Sequence, residues 1–190
     1  MWNIEEIKKD IRKNLSDYRY EHSIRVMEEA TSLAKHNNAS KTLLEKCQVC
    51  ALTHDMCKEF TIEENEEFIK RYNLSKNLLN KENKNIIHGV LASVLVKEKY
   101  NFSKDMINAI KYHTTGYPNM DLLAKIIYLA DKIEKGKSYP GIEEERQLAY
   151  EDIDKAIILC LNNTIKNLKA NNKVVNKMVY TTLNSLKEIV

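Results

Sequence analysis

Glycine and proline are scarce in this chain, with four Gly and two Pro among 190 residues. That supply is too small for a turn-dense sandwich or barrel, and too small for a disordered linker. No apolar run reaches the roughly 18 residues that a membrane-spanning helix needs, so no membrane partner is expected. The opening stretch mixes acids and bases from Glu5 to Lys13 and has no apolar segment of the kind a secretory signal carries. A cytoplasmic setting is therefore expected. There is no Gly-rich phosphate loop, which excludes a Walker or Rossmann nucleotide site. Period-2 strand patterns of useful length are absent, and so are internal repeats. The bases are not gathered either. Net charge is +3, and the 30 Lys and Arg, mostly lysines, are scattered with no run longer than a pair. A nucleic-acid binder would normally concentrate them in a stripe, so nucleic acid is not an expected partner.

Cysteine is also limited to four residues, Cys47, Cys50, Cys57 and Cys160. Cys47-x-x-Cys50 lacks the second pair of a zinc ribbon and the preceding strand of a redox motif. It reads as two small apolar residues at i, i+3 on a buried helix face.

What is present is a string of helices with polar breaks, spanning one domain, 1–190. Asn3 and Glu6 are placed to cap a first helix with Ile4, Ile7, Ile11 and Leu15 on one stripe. A second helix runs from about Tyr18 to His36 and stops at Asn37-Asn38. A third starts near Ser40 or Thr42 and reaches His54-Asp55. Thr61-Ile62-Glu63-Glu64 is a capping box that opens a helix to about Tyr72. Asn83 is expected to open the helix carrying His88, Ser103 to cap the next, which ends near His113, and Asp121 to open one ending between Asp131 and Gly136. Beyond the 137–141 loop, two or three amphipathic helices finish the chain. The expected fold class is all-α.

Four of the five histidines, His22, His54, His88 and His113, fall near helix ends or on helix faces. His36 sits in a polar helix end and needs no special role. His54-Asp55 follows the apolar run from Val49 to Leu52, so the pair lies at the end of a buried helix. An anion at a helix C-terminus is electrostatically unfavourable without a cation to offset it. A metal would supply that cation, and neutral imidazole with carboxylate suits iron, manganese or zinc. These positions are far apart in sequence, so any such site must be assembled from several helices, as helical bundles do.

His22, His54-Asp55 and Asp131, in that order on helices, resemble the HD superfamily of metal-dependent phosphohydrolases. Five further stretches are similar to its YqeK branch, the symmetrical dinucleoside tetraphosphatases. They are Tyr20-Glu21-His22-Ser23-Ile24-Arg25-Val26, Ala51-Leu52-Thr53-His54-Asp55-Met56-Cys57-Lys58-Glu59, His88-Gly89, Ala109-Ile110-Lys111-Tyr112-His113-Thr114-Thr115-Gly116, and Ile126-Ile127-Tyr128-Leu129-Ala130-Asp131-Lys132-Ile133-Glu134. The resemblance spans about 18–170. Tyr139-Pro140-Gly141 through Arg146 resembles the branch's Pro-Gly loop, although Lys137-Ser138-Tyr139 stands where the family more often has Arg-Phe.

The resemblance implies a single HD-domain helical bundle that cuts diadenosine tetraphosphate into two ADP. It implies two divalent metal ions, usually iron, with manganese, zinc or others as alternatives. His22, His54, Asp55 and Asp131 would hold one metal; His88 and His113, with Asp55 bridging, the second. Asp55 and Asp131, with Lys58 of the His-Asp-x-x-Lys pattern, would be the catalytic set. Lys58 and Arg25, the latter one turn beyond His22 on the same face, are expected to contact phosphate. Thr114 and Thr115 offer hydroxyls in a tight polar turn, and Arg146 is expected to close over the ligand. Competing readings are a general HD nucleotidase or phosphodiesterase acting on mononucleotides or dNTPs, a nucleotide-binding regulatory protein, and a plain helical interaction protein. The presence of all six ligands and Lys58 argues against a dead site. A homodimer is compatible with this surface, but no interface is legible.

Overall fold

The computed structural model describes residues 2–188. Among them are ten α-helices and no strand: α1 (Ile4–Asn14), α2 (Asp17–His36), α3 (Lys41–Thr53), α4 (Ile62–Arg71), α5 (Ile87–Tyr100), α6 (Lys104–Lys111), α7 (Leu122–Ile133), α8 (Ile142–Glu151), α9 (Ile153–Ala170) and α10 (Lys177–Lys187). The all-helical expectation holds. Among the described residues, no helix is long and apolar enough to cross a membrane.

Local chemistry starts most of these helices. Asn3 Oδ1 accepts from the Glu5 and Glu6 amides, satisfying two of the orphan donors at the start of α1. Ser16 caps α2, and its own amide and hydroxyl both donate to Glu59, each at 2.7 Å. That pair ties the start of α2 to the chain just beyond Asp55. The Thr61–Glu64 capping box is formed as expected, and Asp121 accepts from the Ala124 amide at 2.8 Å to open α7.

Two expected starts differ. Asn83 does not open the helix carrying His88; it ends a short 3-10 turn, Lys81–Asn83, and its side-chain amide donates to the Asn77 carbonyl at 2.8 Å. A side chain spent on the preceding turn cannot cap the following one, and α5 begins at Ile87 with no side-chain cap. Ser103 does stand at the N-cap of α6, but its hydroxyl is held by Asp105 and makes no capping bond.

The centre of the fold is α7, which packs against α2, α3, α6 and α9. Ile126, Ile127, Tyr128, Leu129 and Ala130 are consecutive and fully buried. A helix apolar all round must be covered on all sides. Each such large side chain contributes on the order of 1.5–3 kcal/mol by leaving water. Cys47 and Cys50 are buried, free thiols in the core of α3. Burial pushes the Cys47 thiol up to about 12.

Gly89 controls how closely α5 approaches α6. A Cβ there would lie 3.0 Å from the Lys111 carbonyl and 3.2 Å from the His113 ring. The absent side chain lets His88, its neighbour in sequence, reach His113.

Candidate metal centre

Five structural elements each deliver one or two polar side chains to a single buried point. His22 comes from α2, His54 caps α3 and Asp55 follows it, His88 lies in the first turn of α5, His113 just beyond α6, and Asp131 near the end of α7. His22, His54, Asp55, His88 and His113 are each at most 3% exposed, and Asp131 is 9% exposed.

Asp55 organises them into two groups. Its Oδ2 lies 3.8 Å from His22 Nε2 and 3.7 Å from His54 Nε2. Those two nitrogens lie 3.2 and 3.8 Å from Asp131 Oδ1. Its Oδ1 faces the other way, 3.0 Å from His88 Nε2 and 3.5 Å from His113 Nε2, which are themselves 3.1 Å apart. Ligand atoms of His22, His54 and Asp131, and of His54, Asp55 and His113, converge closely enough to share an ion.

The second nitrogens decide the tautomers. Nδ1 of His54 donates to the Ala51 carbonyl and Nδ1 of His113 to the Ile110 carbonyl, both at 2.7 Å. A carbonyl can only accept, so the proton sits on Nδ1 and the Nε2 lone pair points into the site. His22 is held differently: its Nδ1 lies 3.2 Å from Glu134 Oε1. His22 Nε2 and His54 Nε2 are buried with no hydrogen-bond partner. Buried polar atoms almost always have a partner, and lone pairs converging on two carboxylates fit a divalent cation.

Electrostatics agree with that fit. Burial pushes the pKa of His54 down to about 3 and of His88 to about 4, against the pull of Asp55, so both rings are neutral as ligands require. Burial opposes the charge on Asp55, yet His54, His113, His88 and Lys58 around it hold its carboxyl well below the usual range. Asp131 is likewise held low against burial, by His22, Lys132 and Lys137.

A basic rim surrounds the two carboxylates. Lys58 Nζ lies 4.0 Å from Asp55 Oδ1 and 3.2 Å from His88 Nε2, and burial pushes its pKa down. Thr114 and Thr115 line the same cleft of about 310 Å³ as Lys58 and Asp131. The Thr114 hydroxyl is buried without a partner, while Thr115 donates to the Gly116 carbonyl.

The structure does not bring the other two predicted phosphate contacts into the cleft. Arg25 Nε donates to Glu134 at 2.6 Å, and its guanidinium lies against Gly136, where a Cβ would stand 2.5 Å from Nε. Sharing a helix face with His22 placed it behind that ring, on the carboxylate that holds it. Arg146 donates to the carbonyls of Ile133, Glu134 and Lys137 and to Glu143. Its nitrogens are spent on the end of α7 and the loop after it, so it clamps that loop from behind.

Three site residues were missed in the sequence. Arg19 Nη1 lies 3.1 Å from Asp55 Oδ2, Lys137 Nζ lies 3.8 Å from Asp131 Oδ1, and Glu134 holds His22. Arg19 and Glu134 stand three residues from His22 and Asp131, a same-face spacing that could have flagged both. Lys137 lies in a loop, where no periodicity points.

A helical bundle that buries four histidines and two aspartates in this order has the hallmarks of a metal-binding hydrolase domain. Residues 19–136 match the HD domain family, and the chain belongs to that family. It is 34% identical to the symmetrical bis(5'-nucleosyl)-tetraphosphatase of Bacillus subtilis (strain 168), over 97% of each chain. It is 36% identical to the enzyme of that name from Halalkalibacterium halodurans, over 93% of this chain and 92% of the relative. The crystal structure of a predicted HD superfamily hydrolase involved in NAD metabolism, from Clostridium acetobutylicum, aligns over 100% of both chains with a TM-score of 0.88 and 33% identity.

Proposed function

We infer that this chain is a metal-dependent hydrolase of nucleotide phosphoanhydrides that cleaves diadenosine tetraphosphate symmetrically to two ADP. The observation that carries the reading is Asp55, whose two oxygens face separate histidine groups inside a basic rim. Near full-length relatives carry that activity in their names. His22, His54, Asp55 and Asp131 would hold one divalent ion, and His88, His113 and Asp55 a second. Iron is the first expectation, with manganese and zinc as alternatives of the same ligand chemistry. Two such ions, when bound, acidify water and neutralise charge on phosphoryl oxygens.

The chain's own residues do the rest. Arg19, Lys58 and Lys137 stand around the carboxylates and bind the polyphosphate, where fixed donors in a water-poor cleft stabilise charge that grows during transfer. The unpaired Thr114 hydroxyl offers a further donor to a phosphate oxygen. One water is consumed: its oxygen bonds to one of the two central phosphorus atoms, the bond from that phosphorus to the oxygen it shares with the other central phosphorus breaks, that oxygen leaves as part of the second nucleoside diphosphate, and a proton is released. The departing nucleoside diphosphate is a stable anion, so no dedicated acid is needed, and Lys58 or Lys137 supports its charge.

Product analysis of the metal-loaded protein tests this. ADP as the sole nucleotide product is expected from the tetraphosphate. AMP with ATP would refute symmetrical cleavage, and activity confined to mononucleotides would favour a general nucleotidase.

A further inference from the structure

The cap of α2 is completed from another part of the chain. In a local capping box the N-cap hydroxyl accepts from the amide three residues on, and the side chain of that third residue reaches back to the N-cap amide. Thr61 and Glu64 do this at the start of α4: the Glu64 amide donates to Thr61 Oγ1 at 3.1 Å, and the Thr61 amide donates to Glu64 Oε2 at 2.7 Å. Ser16 makes the first half of the same arrangement, with the Arg19 amide donating to its Oγ at 3.3 Å. The third residue here is an arginine, whose side chain has no acceptor. The missing carboxylate comes from Glu59, 43 residues along the chain. Its Oε2 accepts from the Ser16 amide at 2.7 Å, the same length as in the local box, and its Oε1 accepts from the Ser16 hydroxyl at 2.7 Å.

That exchange frees the Arg19 side chain for the site. Its Nη1 lies 3.1 Å from Asp55 Oδ2, and both residues line the cleft with Lys58. Glu59 follows Lys58 directly, and the Lys58 amide donates to the Asp55 carbonyl at 2.9 Å. The contacts close into a ring: Ser16 to Arg19, Arg19 to Asp55, Asp55 through Lys58 to Glu59, and Glu59 back to Ser16. Arg19 and Lys58 have long side chains, 26% and 29% exposed, which lose rotamer entropy when they are held. The ring fixes the two backbone segments from which they extend.

We propose that Glu59 and Ser16 are positioning residues for the basic rim: Glu59 supplies the capping carboxylate that Arg19 cannot, and so sets the start of α2, and Arg19 with it, against Asp55 and Lys58. This rests on the function inferred above, in which Arg19 and Lys58 bind the polyphosphate. Misplacing such a group by about 1 Å can cost about 100-fold in rate. The tether is one of several restraints on α2, so cutting it costs less than that.

Both residues are exposed, so replacing them opens no cavity. Glu59→Ala removes both acceptors. Ser16→Asp keeps an acceptor for the Arg19 amide, since Asp caps a helix as well as Ser, but it removes the hydroxyl donor and sets a second carboxylate against Glu59. In each variant kcat/KM for diadenosine tetraphosphate should fall about tenfold, mostly through KM, with metal content unchanged. Asn3→Ala removes the cap of α1, a helix that delivers nothing to the site, and should stay within about twofold of the parent. In an Arg19→Ala background, Glu59→Ala should change kcat/KM by less than about twofold, because the group it places is gone. A merely structural role would give the same loss with and without Arg19, and that result overturns the proposal. So does a kcat/KM within about twofold of the parent in Glu59→Ala. Glu59→Gln replaces Glu59→Ala if that protein does not fold. Calorimetric titration of the metal-loaded protein with inorganic tripolyphosphate gives a second readout, with affinity about tenfold weaker in Glu59→Ala than in the parent. Equal affinity in the two, or no binding by the parent, also overturns the proposal. Failure of the inferred function looks different: the parent binds tripolyphosphate but makes no ADP from the dinucleotide.

Discussion

Replacing Glu134 by Gln perturbs the candidate metal centre without touching any of its six candidate ligands. Glu134 is 1% exposed. One oxygen lies 3.2 Å from His22 Nδ1; the other accepts from Arg25 Nε at 2.6 Å and from the Gly136 amide at 2.5 Å. Burial opposes its charge, and Arg25, Gly136 and His22 more than offset that, holding the carboxyl below its usual value. The carboxylate does two things to His22: it keeps the proton on Nδ1, and its negative charge makes Nε2 a better donor to a cation. Glutamine keeps the size and loses the charge. Outer carboxylate partners of a ligating histidine typically change metal affinity by about 10–100-fold, or roughly 1.4–2.8 kcal/mol. The weakened bond to Arg25 adds a metal-independent cost of about 1.5–3 kcal/mol, the range for a hydrogen bond to a charged group. Chelator-competition titration measures the first term, and denaturant unfolding of the metal-free protein the second. The expected result is a loss of affinity at the His22 group, with the His88 group retained. Affinity within twofold of the parent would refute the view that Glu134 tunes His22. An equal loss at both groups would show general disruption.

Three other perturbations follow. Lys58→Ala should lower kcat/KM by about 100-fold while metal content is retained, as for removal of a preorganised donor in a dry site; metal analysis and steady-state kinetics check both. Gly89→Ala should cost about 1–3 kcal/mol, the range for overpacking, because the 3.0 Å contact is with the backbone of Lys111; it should also weaken metal binding at His88 and His113, readable by melting with and without metal. For the metal-free protein, His54 and His88 titrate near pH 3 and 4 when folded, below the ordinary histidine value. The unfolded chain then binds more protons between about pH 6.5 and 4, so stability falls as pH falls through that window, each ring contributing up to about 1.4 kcal/mol per pH unit. A midpoint in urea that does not drop between pH 7 and 5 would contradict this.

How much was legible beforehand differed by the range of the interaction involved. The Thr61–Glu64 box and the caps at Asn3 and Asp121 depend on atoms a few residues apart, and they formed where the spacing placed them; of the two starts open for α3, Ser40 rather than Thr42 is the cap. The start of α5 was misread because Asn83 found an acceptor in Asn77, six residues back, a contact that no capping pattern encodes. Sharing a helix face was a sound reason to group Arg25 with His22. Periodicity gives the face but not what stands opposite, and opposite stood Glu134.

The order of helices, the candidate ligands at their ends and the family resemblance were present in the one-dimensional pattern, because helix signals and motif residues are local. Which oxygen of Asp55 faces which histidines, that Arg146 braces a loop, and that Arg19 and Lys137 complete the rim were decided only by packing. Those pairs come from elements far apart in the chain, brought together around α7. The scarcity of glycine has the same dual reading. Four residues ruled out a turn-rich fold from composition alone. Only the approach of α5 to α6 shows why one of the four, Gly89, must carry no side chain.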